Sequence, residues 1–160
     1  MEDYIHYLRS LIGHERCLSV GLSAILVDPE GRILLEKRQD NGLYCLPGGS
    51  IDYEEEVLDG LKREIREETG ISLQKASLFM IQSGKKTTLH YPNGDITNYI
   101  DITFIAYLSK SEAVIATHDK ESSEVFFCSI DELPSRDKLL SCDIRIIDKY
   151  LAKKFEVTID

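Results

Sequence analysis

The sequence has few of the features that place a protein in a membrane or on a nucleic acid. No apolar run approaches the ~20 residues that a membrane-spanning helix needs. No basic run is present, and the net charge is −9, from 19 basic and 28 acidic residues, so we expect neither a nucleic acid nor a membrane as a partner. A phosphorylated small molecule is compatible with this charge if metal ions bridge acid and phosphate.

The sequence also lacks closely spaced cysteines, internal repeats and low-complexity linkers. It contains four cysteines, Cys17, Cys45, Cys128 and Cys142. Their spacing matches neither a CxxC motif nor a zinc site. We therefore expect reduced structural thiols in a cytoplasmic protein. The start, MEDYIHYLRS, is amphipathic and acidic, which differs from a secretory signal. With 42% hydrophobic and 29% charged residues, the composition predicts one globular domain over 1–160.

The most informative stretch is residues 49–71, GSIDYEEEVLDGLKREIREETGI. Asp52 is a candidate helix N-cap, with Glu55 as its capping-box partner three residues later. Gly70 suits the left-handed position that ends a helix. The pattern therefore predicts a helix over 53–69.

Acidic residues of this helix do not all fall on its solvent side. At about 100° per residue, the helix has one apolar arc, formed by Val57, Leu58, Leu61 and Ile65. Glu68 falls inside this arc, with Glu64 and Glu67 on its flank. Charges facing the core are costly unless something pairs them, and one arginine, Arg63, cannot neutralise three acids. Clustered carboxylates suit Mg²⁺; the alternative is a solvated acidic face.

Gly49, Glu55 and the run REIREETGI over 63–71 resemble the Nudix box without a departure at any defining position. The resemblance extends more loosely over 18–133, including the lead-in LPGG at 46–49. It implies an α/β fold, a mixed β-sheet between helices in an α/β/α sandwich, with the box as a loop–helix–loop. It also implies Mg²⁺, or Mn²⁺ as a substitute.

The resemblance further implies roles for single residues. The implied metal ligands are the Gly48 carbonyl and the side chains of Glu64, Glu67 and Glu68. Arg63 would hold Glu64 or Glu67 in place, while Gly49, Glu55 and Gly70 would be structural. Arg38 would contact a substrate phosphate, with plain solvation as the alternative. An acid in the loop over 117–123 or just after it would be a further metal ligand or the base; Glu121 is the better candidate by position, Glu124 is second, and a solvated loop acid is the alternative.

Alternating apolar residues and turn residues predict the remaining elements. Strands are expected over 17–27, 32–38, 44–46, 73–82, 85–91, 96–108 and 124–128, and further helices over 2–13 and 142–155. The last helix would bury a stripe of Ile144, Ile147 and Leu151. The first, within an N-terminal segment 1–14, would cover an edge of the fold, form a homodimer contact or act as a lid.

The turn PNGD at 92–95 predicts a β-hairpin. Three aromatic residues lie near it and are candidates for stacking on a nucleobase or sugar: His90, Tyr91 and Tyr99. Aromatic residues of an ordinary hairpin are the alternative.

The expected reaction is Mg²⁺-dependent hydrolysis of the pyrophosphate linkage in a nucleoside diphosphate linked to another moiety. By resemblance alone, ADP-ribose or a nucleotide sugar is favoured over (d)NTPs. One alternative is a catalytically silent nucleotide-binding sensor, which usually has a degraded box or an appended DNA-binding segment. A second is an isomerase on the same scaffold, which the intact box spacing disfavours.

Overall fold

The computed structural model describes residues 4–115 and 120–160, and these residues form three α-helices and nine strands. The elements are α1 (Tyr4–Ile12), β1 (Cys17–Val27), β2 (Ile33–Arg38), β3 (Tyr44–Cys45), β4 (Gly48–Ser50), α2 (Val57–Thr69), β5 (Ser77–Gln82), β6 (Thr88–His90), β7 (Ile96–Tyr107), β8 (Ser122–Cys128), α3 (Ser141–Leu151) and β9 (Thr158–Ile159). Short 3-10 turns occur at Gly84–Thr87, Ile130–Glu132 and Arg136–Lys138.

One mixed sheet organises the fold. Its main strand order is β3-β2-β1-β7-β5-β9, while β4 pairs with β1, β6 with β7 and β8 with β2. The centre is the parallel pair of β1 and β7, in register from Cys17 opposite Thr97 to Val27 opposite Tyr107. The predicted hairpin over 17–38 forms only at its turn, where Val27 pairs with Ile33. From Ile33 to Arg38, β2 pairs with β8.

The two faces of the sheet build two separate cores. Leu22 and Leu26 of β1 pack in the core that includes Leu61 and Ile65 of α2. Ile25, which is an odd number of residues from both and so points to the other face, packs in the core that includes residues of α3. Because successive strand residues point to opposite faces, α2 and α3 lie on opposite sides of the sheet. This confirms the predicted α/β sandwich.

Several predicted elements are correct. Helix α1 begins at the first described residue and ends before Gly13, whose φ of 60° only glycine adopts readily. The predicted hairpin forms where His90 pairs with Ile96 across the turn. Helix α2 ends at Gly70 in the left-handed conformation. Residues 1–3 of the N-terminal segment and 116–119 around the polar loop lie outside the described residues.

Two helix predictions are wrong in detail. Helix α2 begins at Val57 rather than at residue 53, and Leu58 is exposed rather than in the apolar arc. Helix α3 ends at Leu151, which is exposed, and its buried side chains come from Asp143, Ile146, Ile147 and Tyr150. The buried face of α3 therefore differs from the predicted one, and Ile147 is the residue that the two sets share.

Two strand predictions are also too long. Residues 73–76 of the strand predicted over 73–82 are not in a strand, and the start of the segment predicted over 85–91 is a 3-10 turn. All four cysteines are free thiols, as expected. Among the helices of residues 4–115 and 120–160, none has the length and apolar character needed to cross a bilayer.

Candidate active site

The loop before α2 is held to the helix by an ion pair between Glu55 and Arg63. The guanidinium donates two hydrogen bonds to the Glu55 carboxylate, from Nε at 2.8 Å and from Nη2 at 2.9 Å. Glu55 also accepts a hydrogen bond from the Asp52 amide at 3.0 Å. The bonds from Arg63 lower the pKa of Glu55. Asp52 and Glu55 therefore form one half of a capping box, but they close a turn ahead of the helix instead of capping it.

Arg63 also orients the acidic residues that follow it. Its Nη1 atom lies 2.8 Å from Glu64 Oε1 and 3.5 Å from Glu67 Oε2. Of the two acids that Arg63 was predicted to hold, Glu64 is therefore in closer contact with it than Glu67. Nη2 additionally donates to the Ser50 carbonyl at 3.1 Å, which connects the guanidinium to β4. One side chain therefore fixes the loop, the strand and the first acid of the box together.

The glycine pair of β4 approaches two of these acids closely. The Gly48 amide donates a hydrogen bond of 2.7 Å to Glu68 Oε2. A Cβ atom added to Gly49 would lie 2.5 Å from the carboxyl carbon of Glu64, a distance that real Cβ atoms essentially never show. Gly48 itself has φ 147°, and a Cβ atom there would overlap the Leu22 carbonyl. At Gly48 only a hydrogen atom fits against the backbone of β1, whereas a Cβ atom at Gly49 would require the Glu64 carboxylate to move.

Glu67, the remaining acid of the box, faces solvent. The side chain of Glu67 is 53% exposed, whereas that of Glu64 is 15% exposed. Glu64, Glu67 and Glu68 all line the same cavity, as do Gly48 and Gly49. In the described part of the chain, no three His, Cys, Asp or Glu side chains are grouped so that they could hold a metal ion by themselves.

This donor set suits an open site for a hard divalent cation. Its groups are carboxylates beside a backbone segment without side chains, and Mg²⁺ typically combines one or two carboxylates with waters and substrate phosphates. A single guanidinium contacts four carboxylates, from Asp52, Glu55, Glu64 and Glu67, so the cluster keeps excess negative charge. Hard cations compensate such a charge.

The cavity has a volume of about 1010 Å³ and extends well beyond the box. Pockets for small molecules range from ~300 to ~1,000 Å³, so this one is large enough for a ligand with two moieties. Arg38, Tyr91, Tyr99 and Glu121 line it, so these four predicted residues share one cavity with the box acids.

His90 is the exception among the predicted contact residues. It is exposed at the end of β6 and is not among the residues that line the cavity, whereas Leu89 and Tyr91 on either side are. Because strand residues alternate between faces, His90 points away from the cavity. Its assignment to substrate is corrected on this ground.

Arg38 and Tyr91 form one wall of the cavity. The Arg38 guanidinium lies 5.7 Å from the centre of the Tyr91 ring and makes two hydrogen bonds to Asp40, of 2.9 and 2.8 Å. The Asp40 carboxylate outweighs burial and raises the pKa of Arg38. Tyr91 and Tyr99 share a hydrogen bond of 2.9 Å between their hydroxyls, and burial raises the pKa of Tyr91.

The two acids near β8 have different surroundings. Glu121 lines the cavity, and its carbonyl accepts a hydrogen bond of 2.7 Å from the Gln39 amide. Glu124 is outside the cavity lining and pairs with Lys37 at 3.2 Å on the surface. The positional ranking of Glu121 ahead of Glu124 agrees with these locations.

The chain matches the family model of the NUDIX domain over residues 18–150. The chain belongs to the Nudix family. Membership indicates an enzyme of the pyrophosphohydrolase class, and Nudix hydrolases generally use divalent metal ions.

Relatives and solved structures agree with this membership. A MutT-like protein of Streptomyces ambofaciens is 30% identical over 118 residues, which are 74% of this chain and 68% of that protein. An ADP-ribose pyrophosphatase of Methanocaldococcus jannaschii is 31% identical over 132 residues, 81% of this chain and 71% of that protein. The crystal structure of a MutT NUDIX hydrolase from Burkholderia pseudomallei has a TM-score of 0.63 at 29% identity, and covers 82% of this chain and 95% of that chain.

The Nudix cavity also contains two buried carboxyl groups that the sequence did not reveal. Asp101 of β7 accepts hydrogen bonds from Gln82, Thr103 and Ser23, at 3.1, 2.9 and 3.1 Å. Asp143 of α3 accepts one of 2.8 Å from the Leu46 amide. Burial raises the pKa of both, that of Asp143 to about 7.

A weak sequence signal existed for only one of them. Alternation along β7 puts Asp101 on the same face as Ile105, an apolar residue that is expected to be buried. This shared face was the signal that Asp101 is buried as well. Asp143 lies in the first turn of α3, where an acid is ordinarily explained by the helix dipole.

Proposed function

We propose that this chain hydrolyses the pyrophosphate linkage of a nucleoside diphosphate joined to a second moiety, with Mg²⁺ or Mn²⁺ as cofactor. The observation that carries the proposal is the contact of the glycine pair with two box acids, Gly48 with Glu68 and Gly49 with Glu64, all four of which line one large cavity. Glu64, Glu67, Glu68 and the Gly48 carbonyl would hold the cation. A bound divalent cation neutralises phosphate charge and makes water more acidic.

The residues of the chain would supply position and proton transfer. Water attacks one phosphorus atom, the P–O–P bond breaks, and two monophosphates leave. Arg63 would keep Glu64 in place, and Glu121, which lines the same cavity, would take the proton of the attacking water. Arg38, which also lines the cavity, would contact a phosphate.

The preferred substrates would be ADP-ribose or nucleotide sugars. The M. jannaschii relative is an ADP-ribose pyrophosphatase, and the cavity is large enough for both halves of such a molecule. Tyr91 and Tyr99 would contact one of these halves. We further propose that the chain is a single-domain enzyme located in the cytoplasm, and its four free thiols agree with that compartment. A homodimer stays a prediction.

An activity panel tests the proposal. ADP-ribose, UDP-glucose, dNTPs and dinucleoside polyphosphates would be incubated with the full chain, with and without Mg²⁺ or Mn²⁺, and the products separated by ion exchange. We expect AMP and ribose 5-phosphate from ADP-ribose only when the cation is present. Binding of ADP-ribose without turnover of any member would instead support the silent sensor.

A further inference from the structure

Two successive basic residues at the end of β2 each pair with one acid, and the two pairs lie in different places. Lys37 pairs with Glu124 at 3.2 Å, and neither is among the described residues that line the cavity. Arg38 pairs with Asp40, and both line the cavity. Successive strand residues point to opposite faces, which explains the difference. The pair of Arg38 and Asp40 is therefore the one that a substrate in the cavity can contact.

Arg38 differs from Arg9 and Arg63, which also line the cavity, in how its N–H groups are used. In Arg9, Nη1 donates to two backbone carbonyls, and Nη2 donates to a third carbonyl and to Thr97. In Arg63, Nε and both Nη atoms donate to carboxylates. In Arg38, Nε and Nη2 donate to Asp40, and none of residues 4–115 and 120–160 accepts a hydrogen bond from Nη1. Arg38 therefore keeps donors that a ligand can use.

Asp40 occupies one edge of the Arg38 guanidinium. Nε donates to Oδ1 at 2.9 Å and Nη2 donates to Oδ2 at 2.8 Å, so both carboxylate oxygens take part. A bidentate pair of this kind fixes the plane of the guanidinium as well as its position. Because the guanidinium is a rigid fork, the remaining Nη1 end can bind a phosphate while Asp40 stays in place.

The loop between β2 and β3 holds Asp40 beside Arg38. The Arg38 amide donates to the Leu43 carbonyl at 2.9 Å, and the Gly42 amide donates to the Arg38 carbonyl at 3.0 Å. Within the loop, Asn41 Oδ1 accepts a hydrogen bond of 2.9 Å from the Leu43 amide. Asp40 is thus in a turn closed by backbone bonds on both sides, and its position does not depend on a ligand.

Tyr91 contacts the same guanidinium through its ring. The ring centre lies 5.7 Å from Arg38 Cζ, and the Tyr91 hydroxyl shares a hydrogen bond of 2.9 Å with Tyr99. A free arginine side chain loses rotamer freedom when it binds a phosphate, and this loss weakens binding. Asp40 and Tyr91 restrict Arg38 in the folded protein, so part of that loss occurs before the substrate binds.

We propose that Asp40 is a positioning residue, which holds Arg38 so that the Nη1 end of the guanidinium binds a phosphate of the substrate. This inference rests on the proposed function, because it requires a phosphorylated ligand in the cavity, and it deepens that function by naming the residue on which phosphate affinity depends. The Asp40 carboxylate also repels a nearby phosphate. The sign of the change in affinity when Asp40 is replaced therefore decides between positioning and repulsion.

A binding experiment that does not depend on turnover tests the inference. Calorimetry with Mg²⁺ present would compare ADP with adenosine, which has no phosphate, for wild type, Asp40→Ala, Asp40→Asn and Glu124→Ala. Asp40→Ala should weaken ADP about tenfold, the order expected when hydrogen bonds to a charged group are lost, and leave adenosine unchanged. Asp40→Asn removes the same charge but keeps an oxygen that accepts from Arg38, so it should restore part of the affinity. Glu124→Ala removes the acid paired with Lys37 and should bind ADP like wild type.

A double-mutant cycle shows whether Asp40 acts through Arg38. Arg38→Ala alone should weaken ADP at least as much as Asp40→Ala does. Adding Asp40→Ala to Arg38→Ala should then change the ADP affinity by less than about twofold, because the residue that Asp40 positions is already absent.

Every other outcome overturns the inference. Tighter ADP binding by both Asp40 variants would mean that the carboxylate repels phosphate instead of positioning Arg38. Equal weakening of ADP and adenosine, or a further tenfold loss in the double variant, would mean that Asp40 supports the cavity without Arg38. Unchanged ADP affinity in Asp40→Ala, or no ADP binding by wild type, would remove the role as well. The proposed function is judged separately, by turnover of the activity panel by the wild type.

Discussion

Gly49 and Glu64 are in such close contact that a Cβ atom on the glycine would lie 2.5 Å from the carboxylate. Strand β4 and helix α2 therefore meet with a hydrogen atom between them, and the acid is fixed against the strand. Glu68 is held by a hydrogen bond from the neighbouring Gly48 amide. The geometry of the box acids thus depends on backbone positions as much as on the acids themselves.

The first prediction concerns this contact. Gly49→Ala should displace the Glu64 carboxylate and lower kcat about 100-fold, because misplacing a catalytic group by about 1 Å has effects of that order. Gly21→Ala is the comparison, since its Cβ atom would meet the Tyr99 ring at 3.1 Å and Asp101 Oδ1 at 3.5 Å, and none of the box acids. A larger loss of kcat in Gly21→Ala than in Gly49→Ala would contradict the role assigned to the contact.

The second prediction concerns Glu67, the exposed acid of the box. Glu67→Gln should lower kcat about 100-fold or more with Mg²⁺ present, because a ligand that helps neutralise phosphate charge contributes several kcal/mol. Its Tm should stay close to that of wild type, since the side chain is exposed and its contact with Arg63 is long, at 3.5 Å. Glu56→Gln is the control, an exposed acid just before α2 and outside the cavity lining. Undiminished turnover by Glu67→Gln at saturating Mg²⁺ would remove Glu67 from the site.

The sequence predicted the features that depend on local pattern. The end of α2 at Gly70 and the hairpin at 92–95 follow from backbone preferences of single residues, and both are correct. Alternation along β7 separated its two faces, and Phe104 and Ile105 do enter different cores. The box identified the family because many positions are constrained at fixed spacing.

The sequence could not reveal features that arise from distant partners. Glu55 was expected to cap the helix, but Arg63 draws it into an ion pair, and Glu54 then adopts φ 57° in a turn. The helix consequently begins later than the capping pattern predicts. Likewise, Asp143 is buried only because α3 packs its first turn against Leu46, a contact across 97 residues of sequence.

The third prediction concerns the pair of Glu55 with Arg63. Glu55→Gln should lower the free energy of unfolding at pH 7 by about 1.5–3 kcal/mol, the usual contribution of hydrogen bonds between charged groups. The pKa of Glu55 is lowered in the folded state, so its contribution is present above pH 4.5 and is lost as the pH falls. Urea unfolding between pH 3 and pH 7 should therefore show wild type and variant converging in acid. A constant difference over that range would contradict the ion pair.

The fourth prediction distinguishes the two acids near β8. Glu121→Gln should lower kcat at least about 100-fold, as expected for a general base, because this residue lines the cavity. Glu124→Gln should leave kcat unchanged, because Glu124 pairs with Lys37 outside the cavity lining. Steady-state kinetics of both variants on ADP-ribose, with saturating Mg²⁺, measures the difference. Undiminished kcat in Glu121→Gln would mean that another group takes the proton.

The fifth prediction concerns Asp143, whose pKa burial raises to about 7 from the 3.8 of an unperturbed carboxyl. Between these values the folded state keeps the proton that the unfolded state has released. The free energy of unfolding must then fall as the pH rises, by at most about 1.4 kcal/mol per pH unit, until the pH exceeds the folded-state pKa.

Asp143→Asn removes this titration but keeps an oxygen that can accept the Leu46 amide. The stability of the variant relative to wild type should therefore rise steadily from pH 4 to pH 7 and then level off. Guanidinium unfolding across that range measures the difference directly. Parallel pH profiles for the two proteins would mean that the buried carboxyl titrates alike in both states, and that its hydrogen bond to Leu46, not its proton, determines its contribution to the fold.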